Sequence, residues 1–138
     1  MTPPESKLVL PEGNDDAKRL PSTVLRIVRD TKLSRELKKM YDYTCQVCGV
    51  RISIKGIGYA EAAHIRPLGK PHNGKDKPDN LLCLCPNHHV MYDKGVFTIA
   101  NDFKVLGIEE TFTIHPDHKL AKENLAYHKE HIFINHHN

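Results

Sequence analysis

Two pairs of candidate zinc ligands share the same spacing in this sequence. Cys45 and Cys48 are separated by two residues, and Cys85 and His88 repeat that gap further along the chain. Such pairs supply the four sulfur and nitrogen ligands of a tetrahedral structural zinc site. Cys83 is an alternative to His88, but we favour His88 because the two gaps then match. Cys83 is accordingly expected to be a small buried hydrophobic residue. A closed site of this kind stabilises a fold and leaves no position open for chemistry.

A second metal site is predicted on the helix that follows. Pro86 suits the first turn of a helix and Gly95 the position just past its end. His89 and Asp93 are four residues apart, so their side chains emerge on one helical face. A histidine and a carboxylate placed in this way can hold a divalent ion. The neighbouring His88 points elsewhere, so one short helix can serve two metal sites.

The composition is typical of a small domain that uses a metal for stability. The chain has 138 residues, of which 39% are hydrophobic and 7% aromatic, with no tryptophan, so we expect a thin core. The formal net charge of +3 permits binding to a nucleic-acid backbone without requiring it. No apolar segment is long enough to cross a membrane, and the amino terminus does not look like a signal peptide. A cytoplasmic location, where cysteines stay reduced, is therefore expected.

The other elements are predicted to form an α+β domain around these stretches. Residues 1–21 are proline-rich and polar and are expected to be a flexible linker or tail, whereas residues 22–138 form the domain. Hydrophobic spacing and turn residues predict helices beginning near Ser22 and spanning 31–43 and 117–134, strands over 51–55, 59–65 and 111–114, a lysine-rich loop over 68–79, and a hairpin of 96–99 with 103–106. His128 and His131 are expected to be packing or surface histidines.

The order of His64, Asn80, His89 and Asp93 resembles that of the HNH, or ββα-metal, nucleases. In that family a histidine on a strand is followed by an asparagine, and then by metal ligands nine and thirteen residues after the asparagine. Asn80 precedes His89 by nine residues and Asp93 by thirteen. The resemblance covers about residues 43–99, and zinc-binding members share the two ligand pairs. It implies a ββα-metal core with a structural zinc, flanked by helices at both ends.

The resemblance also implies the activity, which is metal-dependent hydrolysis of DNA phosphodiester bonds. His64 would be the general base and Asn80 would hold the loop that carries it. The histidine and aspartate on the helix, His89 and Asp93, would bind a catalytic Mg²⁺ or Mn²⁺ ion. Arg66 is a candidate for contact with DNA phosphates, as is Lys70 in the adjacent loop.

One position departs from the family pattern. Many members have an acidic residue or a histidine directly before the base as a further metal ligand, and Ala63 occupies that position here. Glu61 is a weak substitute, because strand alternation places it two residues away. The free protein is then expected to bind the catalytic metal weakly until DNA completes the site.

Three short runs, 27–31, 45–49 and 60–69, resemble more narrowly the nuclease part of YDG/SRA-HNH modification-dependent restriction enzymes. Those enzymes place a reader of modified cytosine before the nuclease. No such reader fits before Ser22, so we expect a detached nuclease module or a truncated chain, with a reader domain as a partner outside it. Cutting both strands with a single active site favours a homodimer.

The alternative function is a zinc-stapled nucleic-acid-binding module without activity. The zinc ligands and the mild basic charge fit both functions, so the set of His64, Asn80, His89 and Asp93 separates them. A redox role for the cysteines is weaker still, because no thioredoxin-like strand and helix surround them.

Overall fold

The computed structural model describes residues 8–22 and 30–133. Residues 8–22 are exposed and contain no helix or strand, and the helix predicted to begin near Ser22 falls on residues outside the described ones. The rest forms an α+β domain whose elements are α1 (Lys32–Met40), β1 (Ile52–Ile54), β2 (Ile57–Tyr59), β3 (Glu61–His64), a 3-10 helix (Pro78–Asn80), β4 (Leu81–Leu84), α2 (Pro86–Asp93), β5 (Thr98–Ile99), β6 (Val105–Leu106) and α3 (Lys122–His131).

Helix α1 begins at a capping box and ends earlier than the sequence predicted. The Thr31 hydroxyl accepts a hydrogen bond from the Ser34 backbone N–H, and the Ser34 hydroxyl accepts one from the Thr31 N–H. The helix ends at Met40, because Asp42 and Tyr43 adopt left-handed backbone angles with φ of 49° and 56°. This turn leads the chain directly into the segment that carries Cys45.

The strand predicted over residues 59–65 is wrong as a single element. It is interrupted at Ala60, because β2 pairs with β1 whereas β3 pairs with β4, both antiparallel. In the second pair Glu61 lies opposite Leu84, and His64 lies opposite Leu81. All four residues of β4 are buried. His64 therefore lies at the end of the short strand β3, which is paired with the fully buried strand β4.

Helix α2 matches its prediction. The Cys85 sulfur caps the amino-terminal end, Pro86 occupies the first turn, and Gly95 has a positive φ of 74° just beyond the end. The helix packs on the β3–β4 pair, and the hydrophobic core between them also contains residues from the carboxyl-terminal part of the chain, such as Phe112. The largest members of this core are fully buried or nearly so, and they include Ile65, Leu82, Tyr92, Phe97 and Leu125.

The carboxyl-terminal part departs from prediction in two places. β5 and β6 form the predicted hairpin, but residues 111–114 form no strand. Thr111 makes only an isolated bridge to Lys104, and the Thr113 N–H donates to the Gln46 carbonyl. Helix α3 begins at Lys122 rather than at residue 117, because the chain before it is held to the 3-10 helix: the Ala121 N–H donates to the Asp79 carbonyl at 3.0 Å.

The two histidines of α3 are packing or surface residues, as the sequence predicted, since His128 is buried and His131 is exposed. His128 is buried and stacks on the Tyr92 ring at 3.7 Å, and His131 packs against the Tyr127 ring at 4.3 Å. None of the helices in the described segments has the length and apolar character needed to span a lipid bilayer.

Candidate metal centre and active site

The two predicted zinc-ligand pairs converge on one point. Cys45 and Cys48 lie on the turn after α1, whereas Cys85 and His88 lie at the start of α2, yet one ligand atom from each falls within 4.8 Å of all the others. The Cys48 and Cys85 sulfurs are 3.8 Å apart, and the Cys85 sulfur is 3.2 Å from His88 Nδ1. Sulfurs bound to one zinc at about 2.3 Å in a tetrahedron are about 3.8 Å apart. The cluster therefore fits a metal ion.

Cys83 lies outside this cluster. It is fully buried on β4, and burial raises the pKa of its thiol to about 12. Its backbone N–H donates to the Gln46 side-chain oxygen, and its carbonyl accepts from the Gln46 N–H. Gln46, which the sequence analysis did not single out, thus joins the turn between Cys45 and Cys48 to β4. The geometry fits the choice of His88 as the fourth ligand.

Three of the four predicted active-site residues border a common cavity, whereas the fourth, Asn80, is buried and does not line it. His64 at the end of β3 and His89 with Asp93 on α2 line a space of about 340 Å³. Pro67, Leu68 and Gly69 from the loop after β3 complete much of the wall, together with His72 and Ile132. The strand and the helix thus bring together side chains that are up to 29 residues apart in the sequence.

His89 lies between two carboxylates. Its Nε2 is 3.2 Å from Asp93 Oδ2, and its Nδ1 is 2.8 Å from Glu61 Oε1. The hydrogen bond to Asp93 raises the pKa of His89 above its ordinary value, burial lowers it by less, and the bond to Glu61 adds to the rise. Glu61 and Asp93 face opposite nitrogens of the ring, so one ion on the Asp93 side cannot take Glu61 as a ligand. Among the described residues, only the cysteine cluster gathers three or more candidate ligands.

His64 has a carboxylate partner that the sequence analysis did not identify. His64 Nε2 is 2.9 Å from Asp76 Oδ1 in the loop before the 3-10 helix. Asn80, fully buried, holds that loop: its side-chain nitrogen donates to the carbonyls of Lys75 and Arg66, and its side-chain oxygen accepts from the Arg66 N–H. The asparagine therefore joins the backbone just after His64 to the backbone just before Asp76.

Arg66 and Lys70, predicted to contact phosphates, do not converge with the catalytic set. The Arg66 guanidinium lies 4.1 Å over the Tyr127 ring and lines a separate cavity of about 570 Å³ with Lys75 and Lys77. Lys70 is exposed in the loop. Contact with DNA by either residue stays a prediction.

Comparison with known proteins agrees with this geometry. Residues 45–100 match the family model of the HNH endonucleases. The chain is also similar to a solved structure, the modification dependent TagI restriction endonuclease, with a TM-score of 0.72 and 36% sequence identity. The chain carries an HNH endonuclease domain. The prediction of an HNH endonuclease domain is thereby confirmed. The similarity to TagI covers 79% of this chain and 40% of that one, and a search of the curated proteins gives no match.

Within the HNH domain, sequence reasoning missed the partners of the two key histidines. Asp76 lies in a loop of lysines and glycines, where no periodicity marks one residue above its neighbours. Glu61 was predicted only as a weak substitute metal ligand, whereas it begins β3 and reaches His89 on the adjacent helix α2. His72, in the same loop as Asp76, had no sequence signal.

Proposed function

We propose that this HNH domain is a metal-dependent DNA endonuclease that hydrolyses phosphodiester bonds, with a role in restriction. The observation that carries the proposal is the shared cavity, which His64 enters from β3 while His89 and Asp93 enter from α2. A module that only binds nucleic acid has no need for a histidine opposite a histidine–carboxylate pair. The likeness to TagI, a modification dependent restriction endonuclease, supports the restriction role.

His64 acts as the general base in this proposal. The His64 Nε2–H donates to Asp76 Oδ1, and in the neutral ring Nδ1, which has no hydrogen-bond partner among the described residues, can accept a proton. That nitrogen takes the proton from the water that attacks phosphorus. Asp76 fixes the tautomer and the orientation of the ring, and Asn80 fixes the loop that carries Asp76.

His89 and Asp93 are the residues that would hold a catalytic divalent ion, Mg²⁺ or Mn²⁺. Their facing atoms are 3.2 Å apart, close to the roughly 3.0 Å between two ligands that bind one such ion at right angles. Such an ion, when bound, would supply charge neutralisation at the phosphate and at the leaving oxygen. Glu61 accepts from the His89 Nδ1–H and so directs Nε2 toward Asp93, the arrangement that orients metal-binding histidines in many proteins.

The cysteine cluster has a structural role in the proposal. A zinc ion held by Cys45, Cys48, Cys85 and His88 would tie the turn after α1 to the start of α2. Because His88 and His89 are adjacent, fixing His88 also fixes the direction in which His89 leaves the helix. The zinc would thus hold the catalytic helix against the β3–β4 pair.

The remaining features of the proposal concern partners. DNA is the substrate, with Arg66 and Lys70 as phosphate contacts outside the catalytic cavity, and the enzyme works in the cytoplasm. Because one active site cuts one strand, cleavage of both strands is assigned to a homodimer. Recognition of modified bases is assigned to a separate reader domain and not to the described residues.

A plasmid-nicking assay tests the function. Supercoiled plasmid should be cut with Mg²⁺ or Mn²⁺ and left intact with EDTA. His64→Ala should lower the rate by about 10²–10⁴-fold, the usual contribution of a general base. His115→Ala is the matched control, because His115 bonds Asp117 and packs on Tyr41 away from the cavity, and it should cut like wild type.

Asp76→Asn separates the orienting role from the base itself. It should lower kcat by about tenfold or more through misorientation of His64, with little change in KM. A His64→Ala protein that cuts at the wild-type rate would remove the base assignment. DNA binding without cleavage under any metal would favour the non-catalytic module.

A further inference from the structure

The cavity contains a third histidine that the proposed mechanism does not use. His72 lies in the loop between β3 and β4 and lines the same space as His64, His89 and Asp93. Its Nδ1 is 2.6 Å from the Tyr127 hydroxyl of α3. Within residues 8–22 and 30–133, its Nε2 has no hydrogen-bond partner. One edge of the ring is therefore held by the protein and the other is available to a ligand.

The ring is held by contacts from two separate parts of the chain. The Arg66 Nε–H donates to the His72 carbonyl at 2.6 Å, and the Arg66 guanidinium stacks on the Tyr127 ring at 4.1 Å. The Tyr127 ring also packs against His131, and the two ring centres are 4.3 Å apart. Backbone and side chain of His72 are thus fixed by Arg66 and Tyr127 together, which is more constraint than an ordinary loop residue receives.

The hydrogen bond to Tyr127 also favours one position for the proton of the neutral ring. A phenol hydroxyl donates its proton where an acceptor is near, and in the part of the chain that is described the Tyr127 hydroxyl bonds only to His72 Nδ1. When Nδ1 accepts, the neutral ring carries its proton on Nε2. The free edge of His72 is then an N–H donor, and it remains one if the ring becomes protonated.

We propose that His72 is a further catalytic residue of this enzyme: its Nε2–H donates a hydrogen bond to a non-bridging oxygen of the phosphodiester being cleaved. Negative charge grows on those oxygens as water adds to phosphorus, so a fixed donor stabilises the transition state more than the bound substrate. Tyr127 is its positioning residue. The inference rests on the proposed function, since it places the scissile phosphate in the cavity of His64 and His89.

Four variants test the assignment by steady-state cleavage of a short duplex. His72→Ala should lower kcat by about 10²–10³-fold, the effect of losing one oriented donor. Tyr127→Phe keeps the ring under Arg66 but loses the hydroxyl, and should lower kcat by about tenfold. The double variant should be no slower than His72→Ala alone, because Tyr127 acts only through His72. His72→Gln, which retains an N–H donor, should recover part of the loss, and His115→Ala should be unchanged.

The variants also separate an active-site role from a structural one. Melting temperature and bound zinc should stay at the wild-type level in Tyr127→Phe and His72→Gln. If His72→Ala fails to fold, a double variant of His72→Gln with Tyr127→Phe takes its place: a purely structural role predicts additive losses in that protein, whereas the proposal predicts that it cuts no more slowly than His72→Gln alone. Additive losses, or wild-type kcat in His72→Ala, would overturn the proposal.

A binding measurement distinguishes failure of this inference from failure of the proposed function. Fluorescence anisotropy of a labelled duplex, in a buffer without chelator and without added Mg²⁺ or Mn²⁺, measures DNA affinity without cleavage and leaves the zinc site intact. If wild type binds but never cuts, the nuclease proposal fails, and weaker binding by His72→Ala than by His115→Ala, by about threefold or more, still supports the phosphate contact. Equal binding by the two variants would then overturn it. If wild type cuts DNA and His72→Ala cuts it at the same rate, the nuclease proposal stands and this inference falls.

Discussion

Replacing Asn80 tests the connection between a buried asparagine and the loop that carries Asp76. The Asn80 side chain is fully buried and makes three hydrogen bonds of 2.8–2.9 Å, two with the backbone of Arg66 and one with that of Lys75. Asn80→Ala leaves all three backbone groups without this partner. At about 1 kcal/mol for each bond, the free energy of unfolding should fall by about 3 kcal/mol. That is a large share of the roughly 5–15 kcal/mol typical of a domain.

Urea unfolding followed by far-ultraviolet circular dichroism measures this loss, since the chain has no tryptophan to report by fluorescence. Asn80→Asp is the first control, because it keeps the size and the acceptor but loses both donors, and it should be at least as unstable as the alanine variant. Asn124→Ala is the second, because the substitution removes an exposed side-chain hydrogen bond of 3.3 Å from Asn124 to the Asp79 carbonyl. It should change stability by no more than about 0.5 kcal/mol.

The same variants should show how the loop affects catalysis. Asn80→Ala, assayed where it is still folded, should cut plasmid at least about tenfold more slowly, because Asp76 and His64 lose their fixed positions. A loss of stability below about 1 kcal/mol, or an Asn80→Asp protein as stable as wild type, would refute the argument from lost donors.

Two further predictions concern the metal cluster and a buried histidine. Cys85→Ser should reduce bound zinc well below the roughly one ion per chain expected of wild type and lower the melting temperature, whereas Cys83→Ala should keep its zinc; elemental analysis decides between them. Burial holds the pKa of His128 at about 4, below its ordinary value of 6.5, so the unfolded chain binds this proton more tightly and stability falls as the pH drops from 6.5 toward 4. Between about pH 7 and pH 5, wild type should lose about 2 kcal/mol more than His128→Gln. The same pH dependence in both proteins would contradict this assignment.

Much of the local structure around the site could be predicted from the sequence. Pro86 and Gly95 bound helix α2 because their effects act on the backbone next to them. The four-residue step from His89 to Asp93 fixes a shared face, because helical geometry is the same in every fold. The two cysteine and histidine pairs were identifiable for a similar reason, since each pair needs only a tight turn. The order of His64, Asn80, His89 and Asp93 carried the resemblance to the HNH family.

The tertiary structure alone decided which residues surround the predicted ones. Asp76 reaches His64 across twelve residues, and Tyr127 reaches His72 across 55. Such contacts leave no periodic pattern in the sequence, because each depends on how two distant segments pack. The interruption of the strand at Ala60 has the same origin, since the partner of each half is set by pairing and not by propensity. Residue types and short spacings thus determined the chemistry available to this protein, and the packing of distant segments determined the orientation of each group.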